Sequence, residues 1–333
     1  MKLSISTNAF WVCAALVTLA ACGGPPGQTA PPVATQQSAF TGHAGSWMKP
    51  DAKIHKSDLL YVTDEGNYNV YVYEYPSGLL VGTLGSAYGS PTGLCVDKKG
   101  NIFVTEYNGQ EVLEYAHGGT SPIQSLYDPG QPIGCSVDPR TGNLAVANEM
   151  SPSGGYGNIS IFTEAKGNAQ VLQDLPDLEL PYWCSYDNKG NLFIDGELIQ
   201  SGFHFSFAEL PAGSSKFTAI SVPDGAGTPP GGVQWDGKYI TLGSASSENG
   251  LIFQFEIGGS SATLEGTTML SGFTRMPTYS ILTSAKRRAR QGKTVIATSG
   301  SDIGFFKYPA GGSATVTLTQ NYPWSAVVSP SIP

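Results

Sequence analysis

The chain has 333 residues, of which 13% are charged, 11% are aromatic and 42 are glycine, and its formal net charge is -8. That acidic balance argues against a nucleic-acid partner, and glycine with aromatics favours short strands and tight turns over helical bundles. Past residue 22 no stretch approaches the roughly 20 apolar residues that a membrane-spanning helix requires.

Residues 1–21 read as an export signal: Lys2, an apolar run from Ala9 to Val17, then Leu19-Ala20-Ala21 before Cys22. Residues 22–57 are dominated by Gly, Pro, Gln, Thr, Ala and Ser. Such a composition buries too little apolar surface to offset the entropy of ordering, so it reads as a tether. The segment Leu19-Ala20-Ala21-Cys22 resembles the lipobox of bacterial lipoproteins. The resemblance implies cleavage before Cys22, lipidation of that residue, and a membrane-anchored place in the cell envelope, facing periplasm or exterior. An ordinary signal peptide cut nearby is the other reading. Several acyl chains, at about 0.8 kcal/mol per buried CH₂, anchor a protein without a spanning helix.

From residue 58 to residue 333 the chain repeats. Pro91-Thr-Gly-Leu-Cys-Val-Asp97 is echoed by segments opening at Pro132, Pro181 and Pro230 and, more weakly, at Pro277 and Pro323. Successive prolines stand 41, 49, 49, 47 and 46 residues apart, a period in the range of β-propeller blades. Proline suits the first residue of a strand, where no ladder hydrogen bond is donated. An Asp followed by Gly-Asn, as in Asp97-Lys-Lys-Gly100-Asn101 and Asp187-Asn-Lys-Gly190-Asn191, closes each strand in a tight turn. Second strands follow at Ile102–Thr105, Leu144–Ala147, Leu192–Ile194, Tyr239–Leu242 and Val295–Thr298, and third strands end at a bulky residue and a glycine turn.

The first repeat, at Leu59-Leu-Tyr-Val-Thr63, lacks a proline strand, and the last proline strand, Pro323–Ser329, has nothing after it. Joining the two predicts an all-β, six-bladed β-propeller closed by the C-terminal strand pairing into the N-terminal blade. The pattern from Pro91 to Val104 resembles the NHL-repeat propellers. It is also similar to the wider superfamily of SMP-30/gluconolactonase enzymes and streptogramin lyases.

Placed on that ring, the short turns carry Lys98, Lys99, Arg140, Lys166, Lys189, Lys238 and the run from Lys286 to Lys293. The opposite loops carry carboxylates. Glu65, Glu106, Glu149 and Glu197 fall just past second strands, with Asn148 and Asp195 beside them. Hard oxygen donors suit Ca²⁺ or another divalent cation, and the SMP-30 resemblance implies a Glu, Asn and Asp set around a metal here. The early Glu-Gly-Pro of those enzymes is absent, with Glu65-Gly66-Asn67 in its place.

No nucleophile motif, zinc spacing or phosphate loop is present, and no histidine lies beyond His204, where a lyase of the streptogramin type would need one. The expected role is therefore a monomeric binding or scaffolding module. It would take a small molecule or protein on its acidic face, with a metal-dependent lactonase as the alternative and a streptogramin-type lyase as the third reading. Cys135 and Cys184 hold matching places in adjacent repeats. Packed sheets lie about 10 Å apart and a disulfide needs Cα atoms within about 7 Å. Buried free thiols are the expectation, with the export signal leaving a bridge open.

Overall fold

The proline-initiated segments form the first strand of one antiparallel meander after another. A computed structural model describes residues 45–53, 57–86, 90–200, 202–226, 230–244, 248–274, 278–282 and 293–331. The chain divides into two compact units; Met1–Ala39 lies outside the described residues, and everything below belongs to Phe40–Pro333. The expected leader, Cys22 and most of the tether are likewise outside them. Strand pairing begins before the sequence boundary at residue 58, because Trp47–Met48 pairs along Leu79–Gly85.

Three four-stranded sheets start with Pro91–Val96, Pro132–Val137 and Leu180–Tyr186. A five-stranded sheet has the order Trp47–Met48, Leu79–Gly85, Asn69–Tyr75, Asp58–Asp64, Pro323–Ser329. The closure read from the sequence is therefore present: Leu59 faces Ser329 and Val62 faces Ala326 in antiparallel register. The first strands, including Pro230–Trp235 and Tyr279–Leu282, contact one another in cyclic order, and Pro323–Ser329 returns to Pro91–Val96.

One expectation needs correction. The last two meanders are not separate sheets but one eight-stranded sheet. Their outer strands, Ser261–Leu270 and Gly311–Thr319, meet at a single parallel bridge, Leu270 to Gly312. Ser261–Leu270 pairs along its whole length with Gly250–Gly258, and its last residue, Leu270, also reaches the next meander. Gly311, at φ +67°, permits the contact, since a Cβ there would lie 2.2 Å from the Met269 carbonyl oxygen.

The turn chemistry follows the sequence closely. Asp97 Oδ1 accepts the amides of Lys99 and Asn101, both at 2.8 Å, and Asp187 Oδ1 accepts those of Lys189 and Asn191. Each second strand buries both faces, which is why it reads as a nearly continuous apolar run. Leu59 and Tyr61 pack with Ile102, Val104 and Tyr115, whereas the alternate residues Leu60 and Val62 pack with Ile296, Ile303 and Phe305.

Neighbouring first strands are laced through side chains. The Tyr186 amide donates to Ser136 Oγ (3.0 Å), that of Trp235 to Ser185 Oγ (3.1 Å) and that of Leu94 to Ser325 Oγ (3.2 Å).

This convergence overturns the expectation of free thiols at Cys135. Cys95 and Cys135 form a disulfide with Cα atoms 5.6 Å apart, while Cys184 is free and buried. The spacing of facing sheets does not apply where first strands crowd toward the centre of a ring. The bridge ties residues 40 apart, and loop-closure entropy assigns it about 4 kcal/mol. The double variant Cys95→Ser/Cys135→Ser should lower the unfolding free energy obtained from urea titration by about that amount; an unchanged urea midpoint would contradict the assignment.

Candidate functional site

Alternating strand direction sorts the connections to two ends of the meanders. Turns between first and second strands, and between third and fourth, carry Lys98, Lys99, Arg140, Lys166, Lys189, Lys216 and Lys238. The connections at the other end carry Glu65, Asp174, Asp177, Glu179, Asp224 and Glu248 and, among the described residues, no Lys or Arg, and Glu149 stands at the end of the strand Leu144–Met150 beside them. Lys286, Arg287, Arg288 and Arg290, expected among the short turns, lie outside the described residues.

The six sequence-selected residues divide into two kinds. Glu106, Asn148 and Asp195 are sequestered, at 1%, 0% and 0% exposure. Glu106 accepts a 2.6 Å bond from Ser86 Oγ, and burial raises its carboxyl to about 7. Asn148 Nδ2 reaches Asp128 Oδ1 (2.9 Å), Asn158 Oδ1 (2.9 Å) and Ser160 Oγ (3.1 Å). Burial raises Asp128 in turn to about 6. Asp195 Oδ1 accepts the Trp183 amide at 2.9 Å, next to a bulge in the first strand. Thr105 Oγ1 likewise accepts the Gly93 amide at 2.6 Å, beside the bulge in Pro91–Val96. Burial pushes the Asp195 carboxyl up to about 8, against the backbone amides of Trp183 and Gly232, which pull it down.

Glu65, Glu149 and Glu197 are the open kind, each partly buried. Tyr107 donates its hydroxyl to Glu149 Oε2 (2.8 Å) or Gln131 Oε1 (3.0 Å). Tyr182 donates to Glu197 Oε2 at 3.2 Å. Burial first, then Glu149 and Glu65 nearby, raises the Tyr107 phenol; burial, Glu197 and Glu149 raise that of Tyr182. Glu149 thus acts on both phenols. The Glu65 amide donates to the Tyr322 carbonyl (3.0 Å), beside the stacked rings of Tyr322 and Trp324, whose centroids are 5.9 Å apart. Tyr107, Tyr182 and Trp324 pack against one contiguous apolar cluster that includes Ile133 and Trp183.

Sequence reasoning missed the pairing of phenols with carboxylates and the role of Asp128. The available signal was a tyrosine directly after Glu106 and another directly after Pro181. Among the described residues no three of His, Cys, Asp and Glu converge as a metal ion requires. The donor set therefore does not fit the divalent site that the SMP-30 resemblance implies. His117, in the turn after Glu111–Tyr115, is buried, with Nδ1 2.6 Å from Ser329 Oγ on the closing strand.

No protein-family model and no curated protein matches the chain. Solved structures do resemble it in fold. The crystal structure of a nidogen/laminin complex aligns with a TM-score of 0.63 at 12% identity, over 83% of this chain and 100% of that one. A streptogramin B lyase structure aligns at 0.52 and 12%, over 85% and 83%. A functionally unknown protein from Desulfotomaculum acetoxidans DSM 771 aligns at 0.51 and 13%, over 80% and 81%. At these identities the likeness is one of fold alone.

Proposed function

We propose that the chain is a six-bladed β-propeller, exported and held at a bacterial cell envelope through lipidated Cys22, that works as a binding or scaffolding module. Its acidic loop face receives a cationic ligand or partner. The observation that carries this reading is the loop set without Lys or Arg among the described residues, beside which, at the ends of two strands, tyrosine hydroxyls hold Glu149 and Glu197 in place. The cyclic contacts of the first strands support the blade count. The buried Cys95–Cys135 disulfide is consistent with an oxidising, non-cytoplasmic compartment.

A metal-dependent hydrolase finds no support in a carboxylate set that does not converge. Similarity to a lyase structure at 12% identity lends its fold and nothing of its chemistry.

Backbone NMR titration with oligolysine and oligoglutamate tests the reading. Oligolysine at low salt should perturb the amides around Glu65, Glu149 and Glu197, and added salt should reverse the effect. Perturbation by oligoglutamate instead, or of the opposite turns alone, would overturn it.

A further inference from the structure

The first strands enclose a cavity of about 860 Å³ that opens at the short-turn end. It is a space apart from the acidic rim, since its lining reaches Trp183 and Ser325 but none of Glu65, Glu149 and Glu197. Small-molecule sites are concave, mostly apolar and of roughly 300–1,000 Å³.

The wall follows one pattern and departs from it at a single strand. Ser136 and Ser185, each four residues after an opening proline, accept amides of the next first strand, those of Tyr186 and Trp235. Gln234 stands four residues after Pro230, in the place of those serines. Among the described residues its side-chain amide makes no hydrogen bond, and none reaches the Tyr186 hydroxyl or the Trp235 indole N–H. All three residues are partly buried and line the cavity. The serine bonds fix the backbone that carries both rings, so the wall is organised before a guest arrives.

The class of guest follows from what the wall offers. The first strands contribute no charged side chain to the lining. Charge enters only at the turn end, where Lys98, Lys99 and Lys166 stand against Asp97, Glu114, Asp138 and Glu164. An ionised guest would lose its hydration inside, with no opposite charge to replace it. The Trp235 N–H only donates, whereas the phenol hydroxyl and the Gln234 amide donate or accept. An oxygen substituent answers these groups, and a flat ring suits the faces of Tyr186 and Trp235.

We propose that this cavity binds an uncharged aromatic molecule bearing hydroxyl or carbonyl groups, which Gln234 and Trp235 orient by hydrogen bonds against the Tyr186 ring. This is a second site, at the end opposite the acidic face, and it stands independently of the cation-receiving reading.

NMR titration of the full-length protein with naphthol, naphthoate and methyl glucoside tests it. Naphthol should bind saturably, shifting the Trp235 indole N–H and the amides of Tyr186 and Gln234. Gln234→Ser, which repeats the serine of the two preceding first strands, should weaken that binding by about tenfold. Trp235→Phe, which keeps a ring and loses the N–H, should weaken it by a smaller factor. Thermal midpoints at or above that of the parent keep both variants interpretable. Naphthoate should bind more weakly than naphthol; tighter binding would overturn the uncharged assignment. Methyl glucoside binding in place of naphthol would overturn the aromatic one. No saturable binding by any probe, or shifts confined to the acidic rim, would overturn the site itself. Oligolysine reads the acidic face separately, so failure here leaves that reading untouched.

Discussion

Truncation before Pro323 should abolish the cooperative unfolding transition rather than lower its midpoint. The lost strand places Val327 and Val328 in two different cores, at 7% and 4% exposure. Each buried valine is worth about 1.5–3 kcal/mol. The loss also strips Asp58–Asp64 of its partner along the register from Leu59 to Asp64 and leaves backbone edges unpaired. The amide of Ser325, donating to Thr63 Oγ1 at 2.9 Å, and the 2.6 Å bond from Ser329 Oγ to the Gly100 carbonyl vanish with it. Against a total stability of about 5–15 kcal/mol, that sum removes the native state. Ser329→Ala, which keeps the strand, should cost about 1–3 kcal/mol by leaving the Gly100 carbonyl and His117 Nδ1 without the hydroxyl. Calorimetry of both variants decides the matter: a truncated chain with a sharp, parent-like transition would refute the closing role.

The second large effect is a fall in stability as pH rises from about 5 to about 8.5. Burial raises Asp195 to about 8, Glu106 to about 7 and Asp128 to about 6. In the unfolded chain such groups titrate near 4. The folded state therefore holds these protons more tightly, so the stabilisation is complete below the unfolded values and is lost as pH climbs through the folded ones. For Asp195 alone the difference amounts to about 4 kcal/mol between the two ends of that window. Asp236 works in the opposite sense. Burial alone would raise it, but the Tyr308 hydroxyl at 2.7 Å and the amides of Tyr239 and Lys238 outweigh that and hold it below its ordinary value. Its contribution is lost only in stronger acid, so stability peaks in mild acid. Thermal midpoints measured across pH should show this decline, and Asp195→Asn should flatten it most between pH 6 and 8.5. A parent protein whose midpoint climbs steadily toward pH 8.5 would show that these carboxyls are ionised when folded.

Much of the architecture is legible in the sequence because its punctuation is chemical. A proline cannot donate to a ladder, and an Asp with a glycine of positive φ builds a tight turn wherever it occurs; Gly100 and Gly190 stand at φ +81° and +86°. The phase of that punctuation also exposes the closing strand. Distances near the centre of the ring are another matter, since they depend on how strands converge, and so the Cys95–Cys135 bridge was hidden. The joint between the last two meanders was hidden for a similar reason, because it depends on where the outer strand Ser261–Leu270 ends.

Within the candidate site, the sequence located the carboxylates but not their orientation. Asn148 and Glu149 are neighbours, yet strand alternation turns one into a buried polar knot and leaves the other on the rim. Their partners lie far along the chain: Asp128 is 20 residues from Asn148, and Tyr107 is 42 from Glu149. No local pattern announces such pairs.

The closing strand also orders events in time. Thr63 and Ser325 are 262 residues apart, so during synthesis the edge of Asp58–Asp64 exists long before its partner does. Contacts of such separation form slowly, and an unpaired apolar strand is a template for pairing with another chain. The protein must therefore pass through an interval in which its first sheet is finished on one side and open on the other. Its yield in a cell depends on how crowded that interval is with other copies.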